Sequence, residues 1–81
     1  LKAGASAVVL ASENGNEPSY EGLDKAANFP QTDFRIFGKP STRPYRRMAV
    51  GLAYGELSTS LETLRQRAKQ VADCIVVKHN N

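Results

Sequence analysis

The chain has one cysteine, one histidine, no tryptophan and no long apolar run, and each shortage removes a class of explanation. Cys74 cannot close an internal disulfide, so the fold must hold without a covalent staple. One cysteine and one histidine also fall short of the three or four ligands of an ordinary zinc centre. Cys74 precedes Ile75-Val76-Val77 and reads as a small buried hydrophobe, while His79 falls in a terminal tail expected to fray, so no thiol–imidazole nucleophile is indicated. A reducing, cytoplasmic compartment fits this cysteine usage. No apolar stretch approaches the roughly 18 residues that a membrane-spanning helix needs. Leu1 to Leu10 lacks the basic-then-apolar layout of a secretion signal, and its valines suit a strand. There is no glycine-rich nucleotide loop, and Glu13, Glu17, Glu21 and Asp24 are scattered rather than grouped as metal ligands, which leaves solvation as their role. The chain opens on Leu1 instead of methionine, which predicts a piece cut from a longer polypeptide.

What remains is globular in character. The 81 residues are 41% hydrophobic and 23% charged, which allows one small domain. A chain of this length buries only about 60% of the surface it exposes when unfolded, so its stability is thin. The net charge of +3 is a mild excess: it does not establish nucleic-acid binding, and it is compatible with an anionic ligand.

The apolar pattern predicts strands over about 5–11, 33–38, 46–54 and 74–77, and helices over about 20–28 and 60–72. Residues 12–19 read as a turn, with Asn14-Gly15 able to supply the positive φ angles of a hairpin. Tyr20, Leu23 and Ala27 have helical spacing; Ser19 is a candidate cap, Gly22 weakens the helix and Pro30 closes it. Two prolines and a glycine make 38–44 a loop. From Tyr45 to Tyr54, large side chains (Met48, Val50, Leu52, Tyr54) alternate with small ones (Ala49, Gly51, Ala53), so an element, such as a helix, should pack very closely on the small face. Thr59 and Glu62 have capping-box spacing, Leu61, Leu64, Ala68, Val71 and Ala72 make an apolar stripe, and Glu62 can pair with Arg65. The order implies an α+β fold: a small mixed or antiparallel sheet with helices on one face.

One feature carries possible chemistry. Lys39 follows Phe37-Gly38, Arg43 sits in the loop, and Arg46-Arg47 open the next strand. Glycine beside lysine lets backbone approach a ligand, and guanidinium forks suit phosphate oxygens. Cationic residues in a Pro-rich loop are nonetheless most often simply solvated, and two successive residues in regular strand point to opposite faces. Arg46 and Arg47 can share one phosphate only if the chain there is loop-like or one side chain wraps around. Residue types alone leave both readings open.

Phe34-Arg35-Ile36-Phe37-Gly38-Lys39-Pro40, followed by Arg46-Arg47-Met48-Ala49-Val50-Gly51-Leu52-Ala53, resembles the C-terminal signature of formate-dependent phosphoribosylglycinamide formyltransferases, ATP-grasp enzymes of purine biosynthesis. Gly4-Ala5-Ser6-Ala7-Val8-Val9-Leu10 is similar to a strand of the same family. The resemblance implies that residues 1–81 form a single C-terminal domain fragment, rudimentary and barrel-like, of a larger ATP-grasp enzyme. It implies that Lys39, Arg46 and Arg47 contact the substrate, chiefly its phosphate, and that the fragment holds no catalytic or metal residue and is inactive alone. The reaction implied is attack of formate on the γ-phosphate of ATP, giving formyl phosphate and ADP, and capture of the formyl group by the glycinamide amine with release of phosphate. ATP and Mg²⁺ would bind mainly outside this fragment; a homodimer and the remainder of the enzyme are the implied partners, with neither nucleic acid nor membrane. The loop Ser41-Thr42-Arg43-Pro44-Tyr45 departs from relatives, which often carry acidic residues and glycine there, so a contact from Arg43 stays open. Carboxyaminoimidazole ribonucleotide synthase ends in a similar domain, and it or another ATP-grasp ligase is the nearest alternative. A small basic nucleic-acid-binding module is a second one, with no accompanying RNA-binding motif.

Overall fold

The computed structural model describes residues 3–80. Its elements are β1 (Ala3–Leu10), β2 (Gly15–Glu21), α1 (Leu23–Ala26), β3 (Thr32–Ile36), β4 (Ser41–Thr42), β5 (Arg47–Gly55), α2 (Leu61–Cys74) and β6 (Val76–Asn80). They build two three-stranded sheets, ordered β1-β5-β3 and β4-β2-β6. Among the described residues every pairing is antiparallel, so the α+β expectation holds with antiparallel rather than mixed sheets.

The larger sheet packs on α2 through the small face of β5. A Cβ on Gly51 would stand 2.7 Å from the Ala68 carbonyl oxygen and 2.9 Å from the Ala72 amide nitrogen, closer than real contacts allow. Glycine here admits the helix backbone itself, as the alternation of large and small residues requires. Val9, Ala26, Ala49, Val71, Ala72 and Ile75 form the buried cluster, with Ala7, Phe34 and Ile36 packed against it. Leu64 and Ala68 of α2 are also fully buried, whereas Leu61, expected in the stripe, is half exposed. α2 starts one residue later than the capping box implied. Ser60, in extended conformation, caps it by accepting from the Thr63 amide at 3.1 Å, while Thr59 lies against Gly55. Glu62 accepts from Gln66 at 3.4 Å, in place of the expected pairing with Arg65.

The second sheet overturns several expectations. Residues 12–19 supply most of β2 rather than a turn, and Asn14-Gly15 forms no hairpin because β1 pairs with β5 while β2 pairs with β4 and β6. The strand survives Pro18 because the register shifts between Asn16 and Ser19, where Glu17 takes φ 51; a bulge tolerates a residue without an amide. Tyr20, expected in a helix over 20–28, sits in β2 opposite Val77, which leaves only four residues for α1. Gly22, not Ser19, stands at its start with φ 82, and any Cβ there would overlap the Cys74 carbonyl. The loop over 38–44 contains the short strand β4, and the last strand runs to Asn80 instead of ending at 77. Cys74 therefore closes α2, half-buried, and His79, expected to fray, is a strand residue whose ring covers Gly15 and whose Nε2 lies 3.5 Å from Glu13 Oε2. Asn81, at the expected frayed end, lies outside the described residues.

Candidate anion-binding site

The β3–β5 ladder runs from Thr32 opposite Ala53 to Ile36 opposite Ala49, and one more backbone bond, Phe37 N–H to Met48 O at 2.9 Å, continues it. Gly38, with φ 66, then turns the chain out of the sheet. A Cβ at Gly38 would meet nothing within 4 Å, so glycine serves this position through its left-handed conformation and not through space. Lys39 follows on the departing chain, and Arg46 and Arg47 immediately precede Met48 on the arriving one. The three cations predicted from the sequence thus share one end of one ladder.

The approach to Arg46 is a tight turn. The Arg46 amide donates to the Arg43 carbonyl at 3.0 Å, with Pro44 and then Tyr45 between them, and Tyr45 has φ 66. Proline second and a positive φ third is the pattern of a type II turn, which brings its end residues within about 7 Å between Cα atoms. Arg43 is thereby placed beside Arg46. Two further bonds clamp the turn to the end of β1: Tyr45 N–H to Ala11 O at 2.8 Å and Ala11 N–H to Arg46 O at 2.9 Å. A left-handed tyrosine costs on the order of 1–3 kcal/mol, and the clamped turn holds it there.

Arg46 is not in regular strand; β5 begins at Arg47. This meets the objection that successive strand residues diverge, because Arg46 turns its guanidinium back along the loop. Its Nη1 donates to the Ser41 carbonyl oxygen at 3.3 Å and lies 3.4 Å from Ser41 Oγ. Ser41 is two residues from Lys39, so the Arg46 head group is drawn toward the lysine's stretch of chain. Lys39, Arg43 and Arg47 are exposed, and among the described residues none of them makes a side-chain hydrogen bond or ion pair. The backbone therefore gathers the cations at one rim, while their side chains are held individually: Arg46 by Ser41, the others free to be oriented by a ligand. Residue patterns missed Ser41 and the Tyr45 turn; the Pro44-Tyr45 pair carries no glycine or asparagine to advertise a positive φ.

Three clefts open on the described residues, and one of them reaches the site through Ser41. One of about 150 Å³ is lined by Gln31, Tyr54, Gly55 and Glu56. Another, of about 230 Å³, lies between Ala11–Glu13, Thr42 and Val77–His79, and the third, of about 440 Å³, is lined by Asn14–Asn16, Ser41 and Thr42. None takes in Lys39, Arg46 or Arg47. Lys39, Arg43 and Arg47 are exposed, while Arg46 is half-buried against Ser41 at the edge of the third cleft.

A family model described as "PurT, C-terminal" matches residues 4–75. A formate-dependent phosphoribosylglycinamide formyltransferase of Flavobacterium psychrophilum is 54% identical over 76 residues, covering 94% of this chain and 20% of that protein. The protein of the same name from Chlorobaculum tepidum is 50% identical over 78 residues, covering 96% of this chain and again 20% of the relative. The chain thus spans about a fifth of the length of these relatives. Among solved structures, N5-carboxyaminoimidazole ribonucleotide synthetase from Thermotoga maritima superposes with a TM-score of 0.77 over 95% of this chain and 21% of its own, at 22% identity, which establishes a shared fold.

Proposed function

The chain belongs to the PurT C-terminal family, and from that premise we propose that it is the substrate-phosphate-binding domain of an ATP- and formate-dependent phosphoribosylglycinamide formyltransferase. The observation that carries the reading is the placement of Lys39, Arg46 and Arg47 at one end of the β3–β5 ladder, with Arg46 bent back toward the chain segment of Lys39. A phosphate monoester carries close to two negative charges at neutral pH and accepts hydrogen bonds on all its terminal oxygens. Lysine supplies a compact charge and the two arginines supply planar forks, so the three together neutralise and orient that group. Arg43, brought beside Arg46 by the turn, is a fourth candidate contact.

The domain's part in the reaction is positioning. Holding the ribose phosphate at a fixed rim places the glycinamide amine where a formyl donor can be captured, and binding energy distant from the reacting atoms serves orientation. ATP and Mg²⁺ belong to the remainder of the enzyme in this reading. Among the described residues no three His, Cys, Asp or Glu side chains gather as a ligand set. The intact enzyme is proposed to work as a cytoplasmic homodimer.

Arg47→Ala in the intact enzyme tests the assignment. A lost charged hydrogen bond is worth about 1.5–3 kcal/mol, so KM for the ribonucleotide should rise about tenfold or more, with KM for ATP little altered. Loss of ATP affinity at constant ribonucleotide KM would reverse the assignment. Identities of about 50% to formyltransferases favour formate over the bicarbonate chemistry of carboxyaminoimidazole ribonucleotide synthases, and formate- against bicarbonate-dependent ATP turnover decides between them.

A further inference from the structure

Among the described residues, three other than glycine hold a positive φ: Glu17 at 51, Gln31 at 58 and Tyr45 at 66. For two of them the fold shows what the conformation achieves. Glu17 stands where the β2 register shifts beside Pro18, and its Oε2 accepts from Asn80 Nδ2 at 2.9 Å. Gln31 leads into β3, its carbonyl accepts from the Tyr54 amide at 2.9 Å, and it lines a cleft beside Tyr54. The Tyr45 backbone is likewise tied, through its amide, to Ala11, but glycine or asparagine would hold that turn with less strain. Its side chain has no such account. Tyr45 is 83% exposed, the most of any large apolar side chain described, and its hydroxyl makes no hydrogen bond among the described residues.

A strained backbone that presents a bulky, unpacked side chain is a mark of function when it lies within a site. Tyr45 does so: the turn Arg43-Pro44-Tyr45-Arg46 places it between two arginines, with Arg47 next, and three backbone bonds fix the segment. We propose that Tyr45 is a further substrate-binding residue, its phenolic O–H donating to the phosphate held by Lys39, Arg46 and Arg47. The inference rests on that reading of the three cations. A phosphate monoester carries close to two charges, which three cations already meet, so a further contact contributes direction rather than charge. Lys39 and Arg47 end long side chains that no bond on this chain anchors, and Arg46 Nη1 is committed to Ser41. Tyrosine has few rotatable bonds, and here its backbone is clamped, so its hydroxyl is a stiffer donor than either free cation. A phenol donates one hydrogen bond and thereby orients the single oxygen it meets. The ligand this suits is a phosphate monoester with free terminal oxygens.

The intact enzyme carrying Tyr45→Phe tests the contact, with ribose 5-phosphate as a competitive inhibitor that keeps the phosphate and lacks the glycinamide. KM for the ribonucleotide and Ki for ribose 5-phosphate should both rise about tenfold, as for one lost bond to a charged group, with KM for ATP within about twofold of the native value. Tyr45→Gly should raise both constants at least as far and melt above Tyr45→Phe, because glycine relieves the left-handed strain that phenylalanine keeps. Unchanged constants in Tyr45→Phe, or a KM that rises while Ki stays, would overturn the proposal. So would a Tyr45→Gly enzyme that melts below Tyr45→Phe, since the ring would then be structural. Arg47→Ala in the same assay separates this contact from the reading beneath it. If Arg47→Ala raises both constants and Tyr45→Phe raises neither, only the tyrosine contact is lost; if neither variant moves them, the phosphate site itself is.

Discussion

The two sheets of this small protein are stabilised by different means. In the β1-β5-β3 layer the fit is apolar and close: Gly51 admits the α2 backbone, and Met48, Leu64 and Val71 are the largest side chains buried completely. The β4-β2-β6 sheet is built from Gly-Asn-Glu-Pro-Ser and Lys-His-Asn segments. The buried side-chain atoms without hydrogen-bond partners among the described residues are Tyr20 Oη, Thr42 Oγ1 and His79 Nδ1, one on each of its strands. Burying an unpaired polar atom costs about 1–3 kcal/mol, so this sheet depends on backbone pairing and on its attachment to the apolar layer. Close packing in the apolar layer offsets the cost of the unpaired polar atoms in the other sheet.

That contrast can be broken at several points. Leu64→Ala, in the apolar layer, should lower the unfolding free energy by about 3 kcal/mol in urea titration, because the cavity faces a sheet that cannot collapse onto it. A loss below about 1 kcal/mol would mean that the layer is loosely packed. Gly51→Ala should cost about 2 kcal/mol by forcing helix and sheet apart; since the contact is with backbone, no side chain can move aside. An unchanged midpoint would show that the close approach is absent.

Thr42→Val should behave in the opposite sense. Thr42 is 4% exposed with its hydroxyl unpaired, so an apolar group of the same shape should leave stability unchanged or raise it by up to about 1 kcal/mol. A marked loss would mean that the hydroxyl has a partner in solution. The smallest effect is expected at Tyr20, where burial pushes the phenol above its ordinary 10.0. A group that ionises later in the folded chain than in the unfolded one favours folding in its neutral form. That contribution is whole below pH 10 and declines as the pH rises through the folded value. Between pH 9 and 11 the melting temperature of the native protein should therefore fall further than that of Tyr20→Phe; parallel curves would place the phenol in water.

Much of the apolar layer was legible in residue order. Alternation of large and small side chains along β5 predicted a close neighbour such as a helix, and the 3.6-residue stripe predicted α2 as an amphipathic helix; that the two meet at Gly51 is decided by the fold. The second sheet was not legible, because β2 contains residues that favour turns and its strand character comes from pairing with Val76–Asn80 some sixty residues away. Tyr20 illustrates the failure: helical spacing to Leu23 was real, but Gly22 at φ 82 broke the element and long-range pairing claimed the tyrosine for a strand. At the candidate site the cations were visible as residue types and as a family signature. Their arrangement was not, since it depends on Tyr45 holding a left-handed turn and on Arg46 bonding Ser41.

Local order in the chain was thus enough to settle the α+β class, the amphipathic helix, the small-faced strand and the identity of the cationic residues, because each reflects periodicity or chemistry carried by neighbouring positions. Pairing across the chain decided the rest: a polar segment became a strand, a tail became its partner, and Lys39, Arg46 and Arg47 came to one end of a ladder. Backbone hydrogen bonds between distant segments leave no periodic trace in either segment alone, and so these features emerge only when the chain is folded.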